Sequence, residues 1–373
     1  MSNSQPFFAF FPQFTPDPIN DAAWRPGFTD WDLINTLPSG KRARFLPATA
    51  HYDTADPCYP ARLAADIQAV APGAGLMVYH YFFDGQHVLD RFERNLCALE
   101  SAPPFFLCWA NETWSKRWVG RPQDVLIHQR HVLNADIMER HVDYLVPFFK
   151  HPSYRRVAGR PLFLLYNPLI GTLREYIARY RALFESRDFD PLIGCCISHE
   201  IDPERLLPFD FACEFQPRFF FNLARGRSAA RLGSRLKTVA PGLFEWLGGL
   251  RDRWKPQSQT RAFFYAAYLR ALNDGVIDRR LRAIAKDRAL MRSAFFGWDN
   301  TPRYRERSTV MLYDDVKPAD LAPLRALRSD GELPILLNSW NEWSEGAALE
   351  VPLLEPPLRR AFLEMFKTAP RPF

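Results

Sequence analysis

The sequence predicts an α/β fold, a single (β/α)8 TIM-type barrel with loop insertions at the barrel mouth. Short apolar runs recur along the 373 residues, and amphipathic helical patterns separate several of them. Polar and aromatic clusters follow the ends of these runs, which is where barrel enzymes place their sites. An open, doubly wound sheet would show a similar alternation, so the strand count alone does not decide between the two.

Eight runs have the length and composition of buried strands. Four stretches between them have apolar residues at helical spacing; in the first, Val88, Leu89, Phe92, Leu96 and Leu99 share a face. The predicted strands are 7–11, 76–83, 105–109, 161–166, 192–197, 209–215, 294–298 and 333–338. The predicted helices are 88–99, 137–149, 173–184 and 321–327.

Residues 1–373 are predicted to form one catalytic domain, with two segments beyond a minimal barrel. Residues 12–58, rich in Pro, Asp and Trp, are expected to fold over the mouth. The insertion 216–261 is basic, with ten Lys or Arg and two acids between 218 and 261. It is interpreted either as a peripheral membrane or anionic-ligand contact, or as a helix that caps the barrel with solvated arginines. The second interpretation is favoured.

The composition bounds the partners and the compartment. The net charge of +6 comes without any nucleic-acid-binding motif, so no nucleic-acid partner is predicted. No signal peptide and no apolar stretch of spanning length are found, and the six cysteines lack metal or redox spacing. We therefore expect a cytoplasmic protein with reduced thiols and neither metal nor cofactor.

The strongest catalytic candidates follow the last predicted strand, in N-S-W-N-E-W-S-E-G (338–346). Breaking or forming a glycosidic bond needs one carboxyl group to exchange a proton with the bridging oxygen and a second as nucleophile, base or stabiliser. Glu342 and Glu345 are predicted to fill these roles, about 5–6 Å apart at Cβ if their turn is helical. Their mutual repulsion among the rings of Trp340 and Trp343 should raise the pKa of one of them.

Aromatic and hydrogen-bonding residues at other strand ends are predicted to bind the substrate. After the third strand, Trp109 and Trp114 offer stacking faces, while Asn111 and Glu112 offer directional hydrogen bonds. Glu214 and Asp299 are weaker catalytic candidates. The remaining predicted binding residues are Gln13, His80, Tyr81, Tyr166, Trp298, Asp299, Trp340 and Asn341.

Seven stretches also occur together, in order, in a known family. They read F-F-P-Q-F (10–14), G-F-T-D-W (27–31), Y-H-Y-F-F (79–83), L-C-W-A-N-E-T-W (107–114), F-F-K-H-P-S-Y-R-R-V-A-G-R-P-L-F-L-L-Y (148–166), G-W-D-N-T-P-R (297–303) and N-S-W-N-E-W-S-E-G (338–346). Together they resemble the WbsX family, which is glycosyltransferase-like, occurs in polysaccharide biosynthesis and is related to glycoside hydrolase family 99.

The resemblance implies a (β/α)8 barrel. For the hydrolase relatives it also implies endo-acting, retaining cleavage of α-mannosides without a metal. There the first glutamate of the motif deprotonates the 2-hydroxyl of the sugar, giving an epoxide-like intermediate, and the second is the acid/base. These roles fall on Glu342 and Glu345. The chain departs from the family pattern at Phe11, Thr15 and Phe82, where Tyr, His and Trp are usual, and these departures bear on sugar specificity.

Three functions remain open from the sequence. A retaining, endo-α-mannosidase-like glycoside hydrolase leads, because no glycine loop for phosphate and no convincing Asp-x-Asp site is present. A glycosyltransferase of surface polysaccharide (O-antigen or capsule) synthesis is the alternative, which the family label and the basic insertion favour. A non-catalytic carbohydrate-binding barrel would need the tryptophans but not both glutamates. In each case the partner is an oligosaccharide or polysaccharide.

Overall fold

A central sheet of parallel strands organises the chain in a computed structural model, which describes residues 5–116, 121–225 and 260–367. Within these residues eight strand positions form the barrel. They are β1 (Pro6–Phe10), β2 (Gly75–Phe83), β3 (Phe105–Trp109), β4 (Arg160–Leu165), β5 (Leu192–Ile197), β6 (Phe211–Glu214), β7 (two segments, Ala289–Met291 and Ser293–Phe295) and β8 (Ile335–Asn338).

The sheet closes through β7. Its first segment pairs in parallel with β6 and its second with β8, while β1 pairs with both β2 and β8. Between the two segments the carbonyl of Arg292 accepts a hydrogen bond from Leu336 N at 2.9 Å, so the pairing continues across the interruption. The (β/α)8 barrel predicted from the sequence is confirmed.

The predicted runs overlap all eight strands, but the seventh was placed too late in the chain. The observed β7 begins at Ala289, whereas the apolar run in the sequence begins at residue 294. The charged side chain of Arg292 interrupts the apolar pattern. It is nevertheless buried, because its Nε donates to Glu214 Oε2 at 2.8 Å.

Helices surround the sheet and connect its strands. The start of the first predicted helix was wrong: Val88 ends a short strand, Gln86–Val88, which pairs with β2, and the left-handed backbone of Leu89 (φ 56°) separates that strand from the helix. The helices are α1 (Pro18–Ala23), α2 (Asp30–Asn35), α3 (Ser39–Arg42), α4 (Tyr59–Val70), α5 (Arg91–Cys97), α6 (Ala135–Lys150), α7 (Leu173–Glu185), α8 (Arg218–Ala224), α9 (Tyr265–Asn273), α10 (Val276–Ala285), α11 (Thr301–Tyr304), α12 (Ala322–Arg325) and α13 (Arg359–Glu364).

Short strands and 3-10 turns complete the described structure. The strands Trp114–Lys116 and Arg121–Ile127 form an antiparallel pair, Arg156–Val157 pairs with β4, and Arg261–Phe264 pairs in parallel with Thr309–Leu312. The 3-10 turns are Ala43–Phe45, Pro203–Leu206, Arg305–Arg307, Pro318–Leu321 and Trp343–Glu345.

Aromatic side chains fill both the barrel interior and the layer between sheet and helices. Inside the barrel, the Phe7 and Phe106 rings lie 5.4 Å apart. On the other face of β1, Phe10 stacks on Phe92 of α5 with the ring centroids 4.0 Å apart. Successive residues of a strand point to opposite faces of the sheet. Alternate positions along each strand therefore point to the barrel axis, and the positions between them point to the helices.

The mouth segment 12–58 packs against the chain that follows β8. Its three short helices, α1 to α3, lie between β1 and α4. A second apolar cluster, distinct from the barrel core, joins this segment to Trp343. The buried residues of that cluster are Phe14, Trp31, Ile34, Leu37, Phe45 and Trp343.

Most of the basic insertion falls outside the described residues, which include only 216–225 and 260–261 of it. The membrane or anionic-ligand contact predicted for 218–261 therefore stays a prediction for the larger part of that segment. In the portions of the chain that the structure describes, no helix combines the length and apolar character needed to cross a membrane.

Candidate active site

The two predicted catalytic glutamates lie on a tight turn directly after β8. Glu342 N donates to Ser339 Oγ at 3.0 Å, and the 3-10 turn Trp343–Glu345 then folds back on Glu342. Glu342 is 2% and Glu345 7% exposed. Burial of two neighbouring carboxyl groups is costly unless charged or hydrogen-bonding groups compensate, so their partners determine what the site can do.

Arg303 is the shared partner of these carboxyl groups. It lies in α11, after β7, and its Nη1 donates to Glu345 Oε1 at 2.8 Å. Its Nη2 lies 2.5 Å from Glu342 Oε1 and donates to Asp30 Oδ2 at 2.7 Å. One buried guanidinium therefore holds three buried carboxyl groups, two from the turn after β8 and one from the mouth segment.

Asp30 connects the mouth segment to the catalytic turn. It begins α2, and its Oδ2 also accepts a hydrogen bond from Ser344 Oγ at 2.6 Å. Sequence reasoning missed the roles of Asp30 and Arg303, although both stand in the stretches G-F-T-D-W and G-W-D-N-T-P-R. Their presence in those two family motifs was the signal that could have identified them as site residues. They are separated by 273 positions in the sequence, so no local spacing joined them.

Glu342 is incompletely satisfied. Arg303 is in ion-pair contact with it, yet neither carboxylate oxygen takes part in a hydrogen bond with the residues that the structure describes. Burial raises the pKa of Glu342 well above its ordinary value; Glu345 and Asp30 raise it further, while Arg303 and Arg218 oppose the rise. A buried carboxyl group with unused oxygens is a ready acceptor for a ligand hydroxyl.

Two glycines allow the turns after β7 and β8 to approach each other closely. Gly346 has φ +60°, and a Cβ there would lie 2.9 Å from Asp299 N. Gly297 has φ +81°, and a Cβ there would lie 2.3 Å from the carbonyl oxygen of Gly346. Asp299 N in turn donates to the carbonyl of Glu345 at 2.7 Å. This close approach positions Glu345 against the turn that leads to Arg303.

Three predicted binding residues lie in the surroundings of the carboxyl groups. The charges of Glu342, Arg303 and Asp30 act on the buried Tyr81 hydroxyl, whose pKa is raised mainly by burial. The Trp114 ring packs edge-on against Tyr81 with the centroids 5.0 Å apart.

Tyr166 is the third of these residues. Burial raises the pKa of its hydroxyl, and the charges of Arg218, Glu112 and Glu345 also act on it. Glu112 is half-buried. Gln13 is half-buried as well, and its carbonyl accepts a hydrogen bond from Asp30 N at 3.3 Å.

His80 and Trp109 point away from the barrel axis. His80 is fully buried, with Nδ1 2.7 Å from Glu93 Oε1 of α5 and Nε2 2.9 Å from His141 Nε2 of α6. Trp109 Nε1 donates to the Phe82 carbonyl at 2.9 Å, and its ring packs against His141. The structure thus places both predicted binding residues in the layer between sheet and helices.

Asn111 and Asn341 each connect the ends of two neighbouring strands by hydrogen bonds. Asn341 Oδ1 accepts from Phe11 N and its Nδ2 donates to the Phe11 carbonyl, each at 2.9 Å. Asn111 makes the same pair of bonds with Asn167, at 2.7 and 2.9 Å. Trp340 is fully buried, its ring 5.1 Å from Phe8. The amide groups of Asn111 and Asn341 and the ring of Trp340 therefore contact other residues of the protein.

The remaining predicted residues after β6 and β7 are held in place by neighbours. Asp299 pairs with Arg44 and accepts from Thr301 N at 3.0 Å. Trp298 is buried with its ring 5.9 Å from Phe221. Glu214 is fully buried and paired with Arg292, so it joins β6 to β7 rather than facing a substrate. The described residues contain no group of three or more His, Cys, Asp or Glu arranged to hold a metal ion.

Comparison with known proteins agrees with the family resemblance of the motifs. The family model described as Glycosyltransferase WbsX matches residues 7–365. The chain belongs to the WbsX family. A curated relative, the uncharacterized protein WxcX of Xanthomonas campestris pv. campestris (strain B100), is 31% identical over 358 residues. That match covers 91% of this chain and 46% of WxcX, so the chain spans about half the length of the relative.

A solved structure shares its fold with this WbsX chain. A protein described as glycoside hydrolase-like superposes with a TM-score of 0.53 at 11% identity, covering 99% of this chain and 95% of its own. The GH99 endo-alpha-mannosidase from Bacteroides thetaiotaomicron gives a TM-score of 0.48 at 12% identity, covering 98% and 96%. Family and fold together support a carbohydrate-active enzyme.

Proposed function

We propose that this protein is a retaining enzyme of glycosidic bonds that resembles an endo-α-mannosidase, with Glu342 and Glu345 as its catalytic carboxyl groups. One observation supports this most strongly: two buried carboxyl groups share Arg303 at the carboxyl end of the barrel. Within the described part of the chain, neither oxygen of Glu342 takes part in a hydrogen bond. A purely structural ion-pair cluster would gain by satisfying them, whereas a catalytic base needs an oxygen for its substrate.

The first step cleaves the glycosidic bond. The Glu342 carboxylate takes the proton of the 2-hydroxyl, and the freed oxygen attacks C1 to form a 1,2-anhydro sugar. The C1–O bond to the leaving group breaks, and Glu345 gives its proton to the departing oxygen. The raised pKa of Glu342 suits this role, because a carboxylate of higher pKa is a stronger base toward a weakly acidic hydroxyl.

In the empty site burial favours the protonated form of Glu342. A sugar hydroxyl that donates to Glu342 stabilises its carboxylate. Substrate binding therefore favours the ionised form of Glu342 that the first step requires.

In the second step Glu345, now a carboxylate, takes a proton from water. The resulting hydroxide attacks C1, the three-membered ring opens, and the 2-oxygen recovers its proton from Glu342. Two inversions at C1 give net retention. An acceptor hydroxyl in place of water would make the same site a transglycosidase.

A glycosyltransferase of polysaccharide synthesis is the second candidate, and the description of the matching family favours it. The test compares purified protein on aryl α-mannosides and α-mannose oligosaccharides with and without sugar nucleotides. Hydrolysis without a nucleotide, with the α-anomer as first product by NMR, supports the retaining hydrolase. Turnover only with a nucleotide donor defeats it. Sugar binding without turnover on any substrate, unaltered by Glu342→Gln or Glu345→Gln, leaves a binding barrel.

A further inference from the structure

Arg218 is a cation at the barrel mouth that the proposed chemistry does not use. It begins α8, shortly after β6, and its side chain is exposed. Its guanidinium carbon lies 5.9 Å from the centroid of the Tyr166 ring. The position therefore combines a solvent-facing positive charge with an aromatic surface at the carboxyl ends of the strands.

Carboxylates at two strand ends act on Arg218, Glu112 after β3 and Glu345 after β8. The Tyr166 ring after β4 lies against its guanidinium. These strands occupy different parts of the barrel circumference, so Arg218 extends over the opening rather than over the outer wall. Arg218 also acts on Glu342.

Arg218 differs from Arg303 in having unused donors. The Arg303 guanidinium contacts three carboxyl groups and is buried. Among the residues that the structure describes, no carboxylate lies within ion-pair distance of Arg218 and none of its N–H groups is in a hydrogen bond. Its planar group with five N–H donors matches the geometry of a carboxylate or phosphate.

We propose that Arg218 binds an anionic substituent, a carboxylate or a phosphate, of the saccharide that occupies the site. The inference rests on the proposed function and specifies its class of substrate. Glu112 and Glu345 carry negative charge at the same opening, and Arg218 supplies the opposite charge beside them. Tyr166 offers a ring against which the sugar carrying the substituent packs.

Calorimetric titration of the full chain with three matched ligands tests the proposal. The ligands are mannose, mannuronic acid and mannose 1-phosphate, which separate a neutral sugar from its carboxylate and phosphate forms. We expect at least one charged ligand to bind about tenfold more tightly than mannose, in line with a charge-assisted hydrogen bond. The preference should weaken as the ionic strength rises.

Arg218→Gln should abolish the preference while leaving the affinity for mannose unchanged. Arg225→Gln is the matched control, since Arg225 is an exposed arginine immediately after the same helix, and it should retain the preference. Equal affinity for neutral and charged ligands, absence of binding by all three, or a preference that survives Arg218→Gln overturns the proposal. An equal loss for all three ligands in Arg218→Gln also overturns it, because Arg218 would then bind a sugar hydroxyl.

The proposed catalytic function fails on a different measurement. If no glycoside is turned over but charged ligands still bind through Arg218, the anion site stands and the hydrolase assignment falls. If α-mannosides are cleaved with retention and Arg218→Gln changes no ligand preference, the hydrolase assignment stands and the anion site falls.

Discussion

Glu342 and Glu345 occupy neighbouring positions in the chain but differ in their surroundings. Arg303 donates a hydrogen bond to Glu345, whereas Glu342 is in ion-pair contact with Arg303 and has no hydrogen bond to its carboxylate oxygens from any described residue. This difference suits the two roles of acid and base, because unlike environments allow two carboxyl groups to act differently.

Replacing either glutamate by glutamine should lower kcat/KM about 10²–10⁴-fold, the range for loss of an acid or base. Glutamine preserves the shape of the side chain, so the circular dichroism spectrum and thermal midpoint should stay close to those of the parent protein. Glu364→Gln is the control, because Glu364 is exposed and lies in α13. Full activity of either catalytic variant would refute the assignment of that residue.

Glu350 makes stability depend on pH. It accepts hydrogen bonds from Tyr52 OH at 2.7 Å and Trp343 Nε1 at 2.9 Å. Burial, opposed by these bonds, raises its pKa from 4.5 to about 7. The folded state thus holds a proton that the unfolded chain releases, so this contribution to stability is complete below about pH 4.5 and is lost as pH rises through about 7.

The loss amounts to about 3 kcal/mol in the free energy of unfolding. Urea unfolding should be measured at pH values below and above this window. The free energy of unfolding should decrease less between them in Glu350→Gln than in the parent protein. The exposed Glu364→Gln should keep the parent dependence. An unchanged pH dependence in Glu350→Gln would show that Glu350 does not hold the proton. Because Trp343 lies in the catalytic turn, the variant also shows whether this proton affects kcat.

At the scale of elements, the turns after β7 and β8 act as one unit. The close approach of Gly297, Gly346 and Asp299 joins the turn that holds Glu345 to the one that leads to Arg303. The mouth segment completes the unit through Asp30. Activity should therefore be sensitive to backbone changes that leave every catalytic side chain in place.

Gly346→Ala tests this coupling. The left-handed backbone (φ +60°) and a Cβ 2.9 Å from Asp299 N should together reduce the free energy of unfolding by about 2 kcal/mol and lower kcat. Gly331→Ala is the matched control, because Gly331 has φ +56° and no atom within 4 Å of an added Cβ. It should show only the backbone cost, about 1 kcal/mol, without a change in kcat. Equal effects of both variants would mean that the contact with Asp299 is unimportant.

At the scale of the whole molecule, barrel closure places an ion pair between β6 and β7. Arg292 interrupts β7, and its Nε donates to the fully buried Glu214 at 2.8 Å; the same carboxylate accepts from Ser293 N at 3.1 Å. Removing one member of a buried pair leaves the other charge poorly compensated. The pair is therefore part of how the barrel closes.

Glu214→Gln should reduce the free energy of unfolding by about 3 kcal/mol, measured by urea denaturation, while kcat of the folded protein stays unchanged. The exposed pair of Glu175 and Arg179 in α7 provides the control, and Glu175→Gln should cost less than about 0.5 kcal/mol. A loss of kcat in Glu214→Gln without a loss of stability would instead indicate a role for Glu214 in catalysis.

The sequence was sufficient to predict the barrel, its strand runs and the turn with Glu342 and Glu345, because apolar periodicity and short spacings are local properties of the chain. It also contained the motifs of the WbsX family. It could not distinguish side chains that face the barrel axis from those that face the helices: Trp109 ends its strand and His80 lies near the end of its own, yet their parity directs them to the helix layer. Parity depends on the register of each strand in the closed sheet.

Only the tertiary structure joined Arg303 and Asp30 to the glutamates and placed Arg218 against the Tyr166 ring. These residues come from distant segments, and no local pattern encodes which carboxylate an arginine will meet. Chain closure into a barrel brings the strand ends together, and that geometry, rather than the composition of any one segment, determines the electrostatics of the site.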